Sequence, residues 1–110
     1  MSLQSPNDRL VAALRALSPV EVQNRLMRLG DREIALSMMY MKSRDRSALL
    51  ARLPVPKARR IADEMVLHQR LVIRYDQYVT AVNHVMAALE ARSRGAFRSY
   101  LRPRRPESRR

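Results

Sequence analysis

The chain has 110 residues, with 22 Lys and Arg against 10 Asp and Glu, for a net charge of +12. This length makes one domain with a modest core. The lack of cysteine excludes disulfide staples and thiolate metal sites and reads as a reducing compartment. No apolar run approaches a membrane span, and the N-terminus lacks the apolar core of a signal peptide. With only two glycines and 5% aromatics, strand signals are sparse, whereas Leu, Ala, Met and Arg favour helix. The expectation is an all-α, cytoplasmic protein, at most peripheral to the inner face of the membrane.

The first helix start is Ser5-Pro6-Asn7-Asp8: a capping serine, a proline for the first turn and an acid for the positive helix end. Leu10, Val11, Leu14 and Leu17 then share one face. Ser18-Pro19-Val20-Glu21 is a capping box opening a second helix, with a stripe of Val22, Leu26 and Leu29. Gly30 is placed to close it in the left-handed cap conformation. Asp31 is read as the cap of a third helix carrying Ile34, Ala35, Met38 and Met41. Ser43 or Asp45 opens a short fourth around Ala48, Leu49 and Leu53, and Pro54-Val55-Pro56 stops it. Short helices with tight connections pack as antiparallel pairs.

From Lys57 to Arg94 neither Pro nor Gly occurs. Ile61, Met65, His68, Val72, Tyr75, Val79, Val82, Met86 and Leu89 recur at intervals of four and three, with Leu71, Tyr78 and Val85 widening the stripe. This spacing predicts one long helix over 57–92, packed on the helical body. Its weakest point is the β-branched pair Val72-Ile73, and a break between His68 and Arg74 is the main alternative. Gly95 ends the helix, and Phe97, Tyr100 and Leu101 form a last turn. Residues 1–95 are thus read as the helical domain and 96–110 as a basic, mostly disordered tail. Residues 92–110 carry eight arginines, Arg98, Arg102, Arg104, Arg105, Arg109 and Arg110 among them, against Glu107 alone; they supply +7 of the net charge. Such an arm offers weak, nonspecific contact to nucleic acid or to an acidic membrane surface.

Catalytic residues, cofactors and metals are not expected. His68 lies on the apolar stripe and reads as a core or interface histidine, and His84 on the polar face as solvated. Asp63 and Glu64 are adjacent, so they point about a hundred degrees apart and cannot face one substrate; pairing with Lys57, Arg59 or Arg60 along the helix is the expectation. The methionines read mainly as core filling, with Met39 or Tyr40 left as an exposed apolar contact. Arg44, Asp45, Arg46, Arg52, Arg59 and Arg60 gather around the fourth helix and its exit. They are read as a partner-docking ridge, the alternative being a merely solvated charged face.

The segment Arg32-Glu33-Ile34-Ala35-Leu36-Ser37-Met38-Met39-Tyr40-Met41, followed by Ala48-Leu49-Leu50-Ala51-Arg52-Leu53-Pro54, resembles the armadillo-like helical repeats of the flagellar motor-switch protein FliG. It is also similar to the N-terminal domain of MgtE-type magnesium transporters. Leu17-Ser18-Pro19-Val20-Glu21-Val22, Arg59-Arg60-Ile61-Ala62, Asp63-Glu64-Met65 and Ala88-Leu89-Glu90 extend the likeness over residues 17–90. The family's Gly-Pro break before its last helix and its His-Pro-Gln signature are absent, where Gln69-Arg70-Leu71-Val72 and Asp31-Arg32-Glu33 stand. The resemblance implies a rotor or switch component, or an adaptor of the same repeat, acting on flagellar rotor or stator proteins, with self-association through the same faces open. The reading is therefore a non-enzymatic helical protein–protein interaction module. The rivals are a basic nucleic-acid-binding accessory protein using its arginine tail, and a regulatory helical domain attached to a transporter.

Overall fold

The computed structural model describes residues 5–90. Six helices follow in order: α1 (Pro6–Ala16), α2 (Pro19–Leu26), α3 (Asp31–Ser37), α4 (Ser43–Ala51), α5 (Val55–His68) and α6 (Tyr75–Glu90). Among the described residues there is no strand, and no helix is long and apolar enough to cross a membrane. The expected final turn around Phe97 to Leu101 and the tail arginines lie outside the described residues.

Local sequence signals set most helix starts. The Ser5 hydroxyl accepts from the Asp8 amide at 3.0 Å. The Ser18–Glu21 capping box closes in both directions, at 3.2 Å each. Two starts differ from the reading above. Gly30 is extended (φ −69°, ψ 150°) and is the residue before α3, while α2 already ends at Leu26. Gly30 therefore joins two helices without a left-handed turn. Asp31 becomes the first helical residue and turns its carboxylate to α5 instead of capping. Pro54-Val55-Pro56 stops α4 and also opens α5, because proline fits the first turn of a helix as well as it ends the previous one.

The expected long helix is two helices. Turn bonds from the Arg70 and Leu71 amides to the Leu67 and His68 carbonyls close α5. The Gln77 side chain accepts from the Arg74 amide at 2.8 Å and opens α6, half of a capping box. Val72, a stripe member by spacing, is 94% exposed. The break falls where the β-branched pair weakens the helix, at the alternative position noted above. Folding back gains more burial than a straight rod, since α3 is clasped between α5 and α6. Glu33 meets His84, and Tyr40, just past α3, stacks edge-on against Tyr78 with ring centroids 4.6 Å apart; α3 and α6 thus run antiparallel.

The core is one cluster. Leu10, Leu14, Val22, Leu26, Ile34, Met38, Ile61, Tyr78, Val82, Val85 and Leu89 form its centre. α1 and α2 both pack on α6, while α4 touches the rest chiefly through α5. On α6 the buried line is Tyr78, Ala81, Val82, Val85 and Leu89, with Val79 and Met86 half-buried at its edge. Two of the widening members of the predicted stripe, Tyr78 and Val85, are thus at its centre, whereas the third, Leu71, is exposed in the turn before α6.

Lys57 is 5% exposed. Its ammonium donates to the Leu29 carbonyl at 2.6 Å and meets Asp31 at 2.8 Å. The Arg60 guanidinium reaches the other Asp31 oxygen at 2.8 Å. Asp31 therefore ties α5 to α3, and the bond to Leu29 ties α5 to the connection between α2 and α3. Lys57 and Arg60, expected to pair along their own helix with Asp63 and Glu64, are drawn across to α3.

Candidate docking site

α4 stands beside α1 without packing extensively on it, and a cleft of about 200 Å³ separates them. Val11, Leu14, Met41, Ala48 and Leu49 make its apolar floor, and Arg15, Arg44, Asp45 and Arg52 frame it. Two polar contacts bridge the rim. Arg15 meets Asp45 at 3.2 Å, and Arg52 donates to the Leu14 carbonyl at 3.2 Å. That carbonyl is in the last turn of α1, where it also accepts from the Leu17 amide at 3.4 Å. Arg44 is exposed and makes no ion pair among the described residues.

The six residues expected to form one ridge divide among several surroundings. Arg44, Asp45 and Arg52 come together at this cleft. Arg46, two residues from Arg44 on α4, faces a different hollow lined by Ala35, Met39, Met65, His68 and Gln69. Arg59 borders a shallow depression with Leu50, Leu53 and Val55. Arg60 is held by Asp31. Arg15 is the site residue that sequence reading missed. It is thirty positions from Asp45, and nothing local marks it as that residue's partner.

The histidines fit their expected places with added detail. His84 is exposed but hydrogen-bonds Glu33 of α3. His68 is 6% exposed; neither ring nitrogen has a hydrogen-bond partner, and Glu64 lies 3.8 Å away. Burial, then the charge of Arg32, holds its pKa below the ordinary 6.5, against a smaller opposing pull from Glu64. Because the folded pKa lies below the unfolded one, the unfolded chain takes up this proton first. The contribution of neutral His68 to stability is complete above about pH 6.5 and is lost as pH falls toward the lowered value. Urea midpoints measured at about pH 7.5 and about pH 5.5 should therefore fall further for the parent than for His68→Leu. Equal falls would remove His68 from the acid response.

Tyr40 is the exposed member of the Met39–Tyr40 pair, at 56%, with Met39 half-buried. Val66, Leu67, Leu71 and Val72 expose apolar surface around the α5–α6 corner. Among the described residues, no group of three or more His, Cys, Asp or Glu is arranged to hold a metal ion. No family model, no curated protein and no solved structure matches the chain.

Proposed function

We propose that this chain is a non-enzymatic helical protein–protein interaction module that receives its partner in the α1–α4 cleft. The observation carrying this reading is an open apolar floor framed by arginines, on a body whose other helices are packed together. Partner sites have this anatomy: an apolar centre for the anchoring side chains and a charged rim that sets approach and register. Paired short helices also leave such faces open for a neighbour in helical-repeat assemblies. Within this class, the likeness of residues 17–90 to FliG-type repeats favours a flagellar motor-switch component or adaptor. Its partners would then be rotor or stator proteins at the inner face of the membrane.

The rival reading rests on the arginine-rich segment 92–110, whose charge suits counterion-releasing contact with nucleic acid. A photo-crosslinking amino acid placed at Ala48, on the cleft floor, and separately at Asn24, exposed on α2, separates the two in lysate of a flagellated bacterium. Protein adducts should form from position 48 and not from position 24, with rotor or stator proteins among them. Absence of any protein adduct at position 48 would sink the cleft reading. Nucleic-acid adducts that persist at physiological salt and after deletion of Arg102 to Arg110 would put the rival first.

A further inference from the structure

Resting on the reading of the cleft as a partner site, we infer that its occupant is an acidic amphipathic helix, laid along the groove between α1 and α4. The rim carries three arginines, Arg15, Arg44 and Arg52, against one acid, Asp45. Asp45 is already engaged with Arg15, and Arg44 has no anion to meet among the described residues. The surplus at the rim is therefore positive, and an incoming carboxylate meets a guanidinium without first displacing a bond. The floor is apolar, so a bare polyanion gains nothing from it; a ligand that uses both features needs apolar anchors on one face and acids flanking them.

The shape favours a helix. The walls are helices of 11 and 9 residues, about 16 and 13 Å long at 1.5 Å per residue. A cleft of about 200 Å³ admits anchor side chains but not a whole helix. The partner accordingly lies on the groove and inserts residues spaced at helical intervals, the helix-in-groove mode.

The chain itself does not supply this occupant. Residues 92–110, at +7, repel the same arginines, and two copies at +12 each repel one another. The chain's acids are scattered along the sequence, with Asp63-Glu64 the only adjacent pair. The Arg15–Asp45 bridge acts as a latch across the entrance. A partner carboxylate competes with Asp45 for Arg15, so removing the Asp45 charge should strengthen binding.

Fluorescence anisotropy on the full chain tests this at about 150 mM salt, which weakens long-range attraction by the arginine-rich segment. The probe is a labelled synthetic helix of about 16 residues, with leucines at i, i+4 and i+7 and flanking glutamates. One control replaces the glutamates by glutamine, and the other keeps the charge as polyglutamate. The probe should bind at least about tenfold more tightly than either control. Arg44→Glu and Ala48→Asp, both at exposed positions and checked for unchanged melting, should each weaken it by about tenfold, and Asp45→Asn should tighten it. Polyglutamate binding as tightly as the probe would assign the affinity to charge alone and overturn the inference. Insensitivity to both Arg44→Glu and Ala48→Asp would overturn it equally. Protein adducts at position 48 with no preference for the acidic helix would leave the interaction reading standing and reject this partner chemistry alone.

Discussion

Val82→Asp is expected to be the most damaging single substitution on α6, costing roughly 3–5 kcal/mol, a large part of the ~5–15 kcal/mol that holds a small domain together. Val82 has no exposed surface and sits among Tyr78, Val85 and Leu89 in the central cluster. An aspartate there either buries an unpaired charge or is protonated and still lacks hydrogen-bond partners. Val79, about one turn earlier at the edge of this line, is only half-buried and can turn a carboxylate toward solvent. Val79→Asp should therefore cost clearly less than Val82→Asp. Thermal or urea unfolding followed by circular dichroism decides the matter. Equal costs would mean that the buried line on α6 is centred elsewhere.

The second large effect concerns the buried ammonium of Lys57. Asp31→Ala removes its carboxylate and leaves the Leu29 carbonyl as its remaining bonded partner. Stranding a buried charge costs more than never burying one, so Asp31→Ala should lose about 2–3 kcal/mol. The figure is below the fully buried limit because the Asp31 side chain is 24% exposed. Lys57→Met keeps the buried stem and removes the charge, and should cost less. The double variant should be more stable than Asp31→Ala alone, since no cation is left unpaired. A double variant less stable than both singles would show that the charge is comfortable without Asp31. The bond from Lys57, then that from Arg60, holds the Asp31 carboxyl below its ordinary 3.8, against the opposing effect of burial. Stability from this cluster is therefore fully present above about pH 3.8 and is lost as pH falls through the lowered value. This window opens at about pH 3.8, below the pH of about 6.5 at which the His68 contribution begins to be lost.

Much of this protein was legible in its sequence. Ser5, Ser18 with Glu21, and the Pro54-Val55-Pro56 stop are local signals, decided by hydrogen bonds and proline geometry within a few residues. They place helix ends without knowledge of the rest of the chain. The 3.6-residue recurrence of apolar side chains likewise picked out the all-α class and most of the core, because burial acts on each helix face separately. What tertiary structure decided was where two acceptable local outcomes were close in energy. Spacing alone let residues 57–92 run as one helix, and the weak Val72-Ile73 step allowed a break. The break won because α3 has to be covered on two sides, by α5 and by α6, a demand that no segment carries in itself. The same holds for charge. Sequence proximity suggested that Lys57 and Arg60 would pair with Asp63 and Glu64, and packing gave them Asp31 instead. It also split Arg46, Arg59 and Arg60 away from Arg44, Asp45 and Arg52, and it brought in Arg15 from thirty residues upstream. Composition made the arginines abundant, but only the placing of α4 beside α1 decided which of them frame an apolar floor.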